Sequence, residues 1–254
     1  MKGFGWFGNW TGKGNNAQNY LKMLPDSVDF VSLWGTRGYL SDEQKADLKF
    51  FQEVKGGKAL LCWIIQDLGD QLTPKGFNAT QYWVEEKGQG NFIEGVKAYA
   101  NAICDSIEKY NLDGFDIDYE PNYGYPGNIS SHPGRMHILL DELSKNFGPK
   151  SGTGRILMVD GEPQTLNTES GGLLDYYVIQ AYYSPGDTDL DTRFNKLLAK
   201  FGSIEDEVTI LRKTVWCEDF ERHKSDGGPQ FTTRDGVTTY SLKGMSMYYR
   251  PGYN

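Results

Sequence analysis

The chain alternates short, β-rich apolar runs with segments whose apolar residues recur every three or four positions. Such alternation is typical of βαβ units, in which parallel strands are joined by helices. One helix is predicted to start at Ser41, where a hydroxyl cap precedes Asp42 and Glu43. Helical stripes also cover 92–107, 132–147 and 190–201. The strand-like runs are 3–8, 28–34, 58–65, 112–120, 155–159 and 176–182, with a seventh inside 208–217.

About seven such units in succession favour an α/β fold of the (β/α)8 TIM barrel type over an open sheet, and 254 residues is a usual size for it. No Pro-, Gly- or Ser-rich linker divides the chain, so we predict one domain over 1–254. The segment 241–249 is the candidate eighth strand, but no eighth helix follows it. We therefore expect an incomplete or atypical eighth unit. The long polar loop 67–90 is expected over the C-terminal ends of the strands, where barrels bind ligands.

The charge balance and composition exclude several classes of protein. A net charge of −8 and the absence of basic runs argue against a nucleic-acid partner. No segment approaches the roughly 20 consecutive apolar residues that a membrane span requires, and no signal peptide is visible at the start. The three cysteines are too few and too scattered for a disulfide framework or a zinc site. Aromatic residues make up 14% of the chain, which suits the stacking of sugar rings as well as a large core.

The most informative segment is 113–120, which reads Asp-Gly-Phe-Asp-Ile-Asp-Tyr-Glu. Strand side chains alternate between faces, so Asp116, Asp118 and Glu120 are expected inside the barrel and the large apolar residues against the helices. Like charges about 7 Å apart along a buried strand cannot all stay ionised, so their pKa values are driven apart. Glu120, nearest the mouth, is the candidate for a raised pKa and a proton to donate, while Asp118 stays charged or shares a proton with Asp116.

Two other interpretations of this strand remain open. Its acids are suitable ligands for Mg²⁺ or Ca²⁺, although no further acidic or histidine cluster completes a shell in the sequence. They are also suitable for a purely structural role in which each acid pairs with a lysine or arginine. We predict no metal and no cofactor.

The spacing Asp-Gly-x-Asp-x-Asp-x-Glu at the end of a fourth strand resembles the motif of glycoside hydrolase family 18, which includes chitinases and endo-β-N-acetylglucosaminidases. The resemblance implies substrate-assisted, retaining hydrolysis. Glu120 would protonate the glycosidic oxygen and later activate water. Asp118 would orient the acetamide of the substrate, with Asp116 behind it. Asp113 has the opposite strand parity and is assigned a structural role.

Other positions support this interpretation. Gln180 and Tyr182 share one face of the sixth strand and are similar to the Gln-x-Tyr pair of the family, whose tyrosine hydroxyl donates to the acetamide carbonyl. Glu162 and Glu218, at the ends of strands five and seven, are candidate contacts for sugar hydroxyls. Trp34 is a candidate sugar platform. Three further tryptophans at strands one to three are either sugar platforms or core residues: Trp6, Trp10 and Trp63.

The expected function is hydrolysis of β-1,4-linked N-acetylglucosamine, with an endo-β-N-acetylglucosaminidase acting on N-glycans preferred over a chitinase. A catalytically silent glycan-binding protein is the alternative from a different class. The partner is therefore an oligosaccharide or a glycoprotein glycan, and the oligomeric state stays open. The segment 231–236 resembles secreted or surface relatives that process host glycans, which implies a secreted, periplasmic or cell-surface location.

Overall fold

The computed structural model describes residues 2–36 and 39–253. Seven parallel strands form one sheet in which every strand pairs with the next along the chain. The sheet curls into a nearly closed barrel, which confirms the predicted α/β barrel class. The strands are β1 (Phe4–Trp6), β2 (Phe30–Trp34), β3 (Lys58–Ile64), β4 (Gly114–Tyr119), β5 (Ile156–Gly161), β6 (Tyr176–Gln180) and β7 (Thr214–Cys217).

Helices flank the barrel, and the predicted helix start at Ser41 is confirmed. Helix α1 (Asp42–Glu53) starts at a capping box in which Ser41 and Gln44 bond each other's backbone N–H groups. The loop 67–90 contains a π-type helix, Thr80–Lys87. None of the helices in the described part of the chain is both long and apolar enough to cross a membrane. The remaining helices are α2 (Phe92–Lys109), α3 (Pro133–Leu143), α4 (Asp187–Phe201), α5 (Glu207–Lys213), α6 (Phe220–His223) and α7 (Ser241–Ser246).

The side chains of each strand pack alternately into two apolar cores. The larger core lies between the strands and the helices and takes the outward residues, such as Phe115, Ile117 and Tyr119 of β4. The smaller core fills the inside of the barrel and includes Leu60 and Met158. Because strand side chains alternate, the inward positions of each strand share one parity, and polar residues at those positions project into the barrel.

The expectation of an eighth strand at 241–249 is wrong. Residues Ser241, Gly244 and Met245 are buried at helical spacing in α7, so the period is that of a helix rather than a strand. Gly244 lies against the Phe231 ring so closely that an added Cβ would sit 2.1 Å from it. A separate antiparallel hairpin, β8 (Gln230–Thr232) and β9 (Thr238–Tyr240), precedes this helix. In the described residues, β1 and β7 therefore remain the two edges of the barrel sheet.

Candidate active site

The acidic motif lies on β4 with the alternation that its sequence predicts. Asp116 and Asp118 are buried on the inner side of the barrel, and Glu120 follows at the end of the strand, half-buried. The side chains between them are fully buried in the outer core. One strand thus directs three carboxyls towards the barrel mouth.

The first two motif positions hold the strand in place. The Asp113 carboxylate accepts hydrogen bonds from the Ala59 backbone N–H at 2.9 Å and from Gln52 Nε2 at 2.8 Å, which ties β4 to β3 and α1. Gly114 has a φ of +151°, and a Cβ there would lie 2.0 Å from the Ile156 carbonyl oxygen. Only glycine fits at this position. The structural role predicted for Asp113 agrees with these contacts.

Asp116 is the deepest acid of β4, and burial raises its pKa to about 6. The Ser32 hydroxyl donates to Asp116 Oδ2 at 2.6 Å and opposes that shift, as does the Cys62 thiol. Ser32 is an inward residue of β2 and Cys62 an inward residue of β3, so the neighbouring strands supply the hydrogen bonds that this carboxyl needs.

A fourth carboxyl, Asp160, completes the cluster. It is paired in register with Asp118 across β4 and β5, and it is fully buried. Burial together with the neighbouring charges of Glu120 and Asp116 raises the pKa of Asp118 to about 8. Burial, followed by repulsion from Asp116 and Asp118, raises the pKa of Asp160 well above its usual value. These shifts favour a cluster that holds protons over one in which every carboxyl is ionised.

The sequence analysis did not select Asp160 as a site residue, although a signal for it exists. Inward positions of β5 follow the parity of Ile156 and Met158, so an acid at 160 interrupts an otherwise apolar inner face. The register between β4 and β5, which places this acid beside Asp118, is a property of the folded sheet.

Glu120 opens onto a cavity of about 380 Å³ at the barrel mouth. Burial raises the pKa of Glu120, the nearby charge of Glu162 adds to the shift, and the Gln180 amide opposes it. Gly161 has a φ of +90°, and a Cβ there would lie 3.1 Å from Glu120 Cγ, so glycine leaves room for this side chain. The cavity is lined by Glu120, Asn122, Tyr123, Gly161, Glu162, Gln164, Ile179, Gln180, Arg193 and Lys196.

Gln180 and Tyr182, the predicted pair, both lie near the acids. Gln180 Nε2 donates to Asp160 Oδ1 at 2.7 Å, and its side chain also lines the cavity beside Glu120. Tyr182 packs against the core inside the barrel. Burial and the charges of Cys217, Asp160 and Asp118 raise the pKa of the Tyr182 hydroxyl, which keeps it a neutral hydrogen-bond donor.

The tryptophan candidates separate into different environments. Trp34 is 41% exposed at the end of β2 and lines a second cavity of about 150 Å³. Trp6 packs on the inner core of the barrel. Trp10 and Trp63 are core residues, because their indole N–H groups donate to Asp47 Oδ2 at 2.8 Å and to the Tyr99 hydroxyl at 3.1 Å. Trp34 is therefore the tryptophan that the fold brings to the mouth.

The two glutamate candidates differ in what they can contact. Glu162 lines the cavity, where its carboxylate accepts hydrogen bonds from the Asn122 backbone and side-chain N–H groups at 3.1–3.2 Å. Glu218 is only 6% exposed. Its carboxylate accepts from the Tyr183 N–H at 3.0 Å, the Asp219 N–H at 2.8 Å and the Ser241 hydroxyl. These bonds occupy Glu218 with the protein's own loops.

Asp160 also changes the argument about metals. Ligand atoms of Cys62, Asp116 and Asp160 lie within 4.8 Å of one another, close enough to surround an ion. An ion requires a deprotonated thiol and deprotonated acids, whereas burial raises the pKa of all three groups. We therefore interpret these residues as a hydrogen-bonded cluster that holds protons.

Comparison with known proteins adds a family to this geometry. The model of glycoside hydrolase family 18, BT1044-like, matches residues 2–251. A solved structure of selenomethionine BT1044, with one glutamate replaced by glutamine, is 61% identical and covers 95% of this chain and 70% of that one, at a TM-score of 0.80.

Two relatives carry a more specific name. Endo-β-N-acetylglucosaminidase F2 of Elizabethkingia meningoseptica is 26% identical over 189 residues, and the match covers 70% of this chain and 50% of the relative. The chain thus spans about half the length of that protein. The apo structure of an endo-β-N-acetylglucosaminidase from Cordyceps militaris is 19% identical, covers 99% of this chain and 78% of that one, and has a TM-score of 0.63. The latter likeness is one of fold.

Proposed function

Because this chain belongs to glycoside hydrolase family 18, in its BT1044-like group, we propose that it hydrolyses β-1,4-linked N-acetylglucosamine by substrate-assisted, retaining catalysis. The proposed substrate is the core of an N-glycan, which makes the protein an endo-β-N-acetylglucosaminidase. One observation carries the proposal. Glu120, with a raised pKa, opens onto the cavity, while Asp118 and Asp116 continue inwards on the same face of β4.

In the proposed reaction, Glu120 donates its proton to the glycosidic oxygen as the bond from that oxygen to the anomeric carbon breaks. The acetamide oxygen of the same sugar forms a new bond to that carbon and gives an oxazolinium ion. Water then attacks the anomeric carbon, the bond from the acetamide oxygen to that carbon breaks and regenerates the acetamide, and Glu120, now a carboxylate, takes the proton from water. The raised pKa of Glu120 favours the protonated form that the first step requires.

Asp118 and Tyr182 are proposed to hold the acetamide. The Tyr182 hydroxyl, a neutral donor, would bond the acetamide oxygen, and Asp118 would accept the acetamide N–H. Asp118 must be ionised to stabilise the cation, although its resting pKa is about 8. A positive ion beside it favours the ionised form, and the neighbouring Asp116 is an acid that can take up the proton. Ser32 keeps Asp116 fixed behind Asp118.

The name of the curated relative supports an endo-β-N-acetylglucosaminidase over a chitinase. That relative, 26% identical to this chain, is endo-β-N-acetylglucosaminidase F2. The cavity beside Glu120 presents amide, carboxyl, hydroxyl and cationic side chains, which suits sugar hydroxyls. By this proposal, Glu162 and Trp34 contact the glycan at the mouth.

The test is to incubate the protein with a high-mannose glycopeptide and, separately, with chitooligosaccharides, and to identify the products by mass spectrometry. We expect a released glycan and a peptide that retains one N-acetylglucosamine. Glu120→Gln should lower kcat by about 10²–10⁴-fold, because a positioned general acid contributes about that factor. The variant should still bind the glycan, since glutamine keeps the shape of the side chain.

Glu53→Gln is a matched control, because it makes the same chemical change on the exposed face of α1, away from the cavity. Full activity of Glu120→Gln would overturn the assignment of the acid. Shortened chitooligosaccharides with an intact glycopeptide would identify a chitinase instead. Glycan binding without any product from the wild-type protein would identify a silent binding protein.

A further inference from the structure

Three carboxyls lie together inside the barrel, and the described part of the chain places no cation in an ion pair with them. Asp116, Asp118 and Asp160 make no ion pair within residues 2–36 and 39–253. Each has one buried oxygen without a hydrogen-bond partner: Asp116 Oδ1, Asp118 Oδ1 and Asp160 Oδ2. Buried carboxylates in contact cannot all stay ionised. The cluster must therefore hold protons, and the three unpartnered oxygens are where O–H···O bonds can form.

The hydrogen bonds indicate which acid carries a proton. Asp116 Oδ2 accepts from the Ser32 hydroxyl, which favours an ionised Asp116. Asp118 is the least buried of the three. Asp160 is fully buried, and its Oδ1 accepts a single bond, from the neutral Gln180 amide. Its unpartnered Oδ2 is the oxygen left to carry hydrogen.

The other titratable groups that face Asp160, among the residues that the structure describes, are neutral or acidic. They are Cys62 on β3, the acids of β4, Tyr182 after β6, and Cys217 on β7. None of these groups supplies a positive charge that would favour an ionised Asp160. A proton on Asp160 is the arrangement that satisfies both its own oxygen and the carboxylates opposite it.

We infer that Asp160 is a protonated positioning residue, whose Oδ2–H donates to a carboxylate of β4 while its Oδ1 holds the Gln180 amide. In this role the acid behaves as an asparagine would, with one acceptor and one donor. Because the Gln180 side chain also contacts Glu120, Asp160 links the orientation of Asp118 to that of the acid. The consequence for catalysis rests on the proposed function, whereas the protonation state does not.

Asp160→Asn is the direct test, because asparagine keeps the acceptor for Gln180 and presents a permanent donor in place of the Oδ2–H. We expect the variant to melt at the same temperature as the wild type or higher at neutral pH, and to keep kcat within about tenfold. Its pH–rate profile should shift, because one proton has left the cluster. Asp160→Leu, which removes both bonds, should fold yet lower kcat far more than it changes KM.

Asp47→Asn is the matched control. Asp47 is also a buried acid, but all its partners are donors: Trp10 Nε1 at 2.8 Å, the Leu21 N–H at 2.7 Å and the Lys22 N–H at 3.2 Å. An asparagine NH₂ there would face N–H groups, so we expect a clear loss of melting temperature. If Asp160→Asn keeps or raises the melting temperature while Asp47→Asn lowers it, Asp160 is a hydrogen-bond donor in the wild-type protein.

Two further measurements need no substrate. A protonated carboxyl of the wild-type protein should give an infrared C=O band that Asp160→Asn lacks. As the pH rises from the unfolded-state pKa of Asp160 to its folded-state pKa, the folding equilibrium constant of the wild type should fall by about tenfold per pH unit relative to that of Asp160→Asn. An absent band, an Asp160→Asn variant as unstable as Asp47→Asn, or a stoichiometric bound metal would overturn the inference. Inactivity of the wild type on every glycan would overturn only the proposed function.

Discussion

Replacing Glu218 with alanine removes one carboxylate that three segments share. Its donors are the N–H of Tyr183 after β6, the N–H of Asp219 after β7, and the hydroxyl of Ser241 at the start of α7. Tyr183 has a φ of +61°, which is unfavourable for a residue other than glycine. The Glu218 carboxylate therefore holds a strained turn next to Tyr182, and we expect its loss to affect stability first.

The cost follows from the donors left without a partner. A buried donor that loses its acceptor costs about 1–3 kcal/mol. The two backbone N–H groups cannot turn away, whereas the Ser241 hydroxyl can rotate to another acceptor. Two orphaned N–H groups and a less supported Tyr183 give a loss of about 3–4 kcal/mol. At roughly 2–4 °C per kcal/mol for a chain of this size, the melting temperature should fall by about 10 °C.

Thermal unfolding, monitored by circular dichroism, measures this loss of stability. Glycan binding is then measured by calorimetry at a temperature below the melting temperatures of both the wild type and Glu218→Ala. Glu218→Gln is the comparison, because its amide oxygen still accepts the two N–H groups and its NH₂ can donate to Ser241. We expect it to cost about 1 kcal/mol or less. If Glu218→Ala melts with the wild type but no longer binds glycan, Glu218 is a substrate contact and the structural reasoning is refuted.

Four further predictions concern the site. Trp34→Ala should raise KM by about 2–10-fold, since an aromatic stacking contact contributes about 0.5–1.5 kcal/mol; initial rates measure it, and an unchanged KM would contradict a sugar contact. Gly114→Ala should cost about 3 kcal/mol in urea unfolding, because a Cβ would overlap the neighbouring strand. Because the pKa values of Asp116 and Asp118 are raised, the folded state binds more protons than the unfolded state. The free energy of unfolding should therefore decrease as the pH rises from about 4 to about 8. The rate should fall as rising pH deprotonates Glu120, whose pKa is also raised; a flat profile would contradict that assignment.

Much of the fold could be predicted from periodicity. A strand and a helix differ in the spacing of their apolar residues, and that spacing is visible in the chain without knowledge of what it packs against. The seven strands and the cap at Ser41 are confirmed for this reason. The segment 241–249 was misassigned because its short run of mixed polarity fits either period, and packing against Phe231 decides in favour of the helix.

The side of β4 on which each acid lies was also determined by sequence alone. Backbone geometry sends alternate side chains to opposite faces, so Asp116, Asp118 and Glu120 had to share one face once the strand was identified. The same local rule paired Gln180 with Tyr182. The motif and its spacing were sufficient to indicate the family, which the match over residues 2–251 confirms.

Contacts between strands were decided only by the tertiary structure. Register and sheet order bring Asp160 opposite Asp118 and Ser32 to Asp116, although these residues are far apart in the sequence. The burial of Glu218 depends on where α7 packs, a long-range contact that no local pattern encodes. A strand's period fixes which way a side chain points, whereas the partner it meets depends on the alignment of strands that fold together.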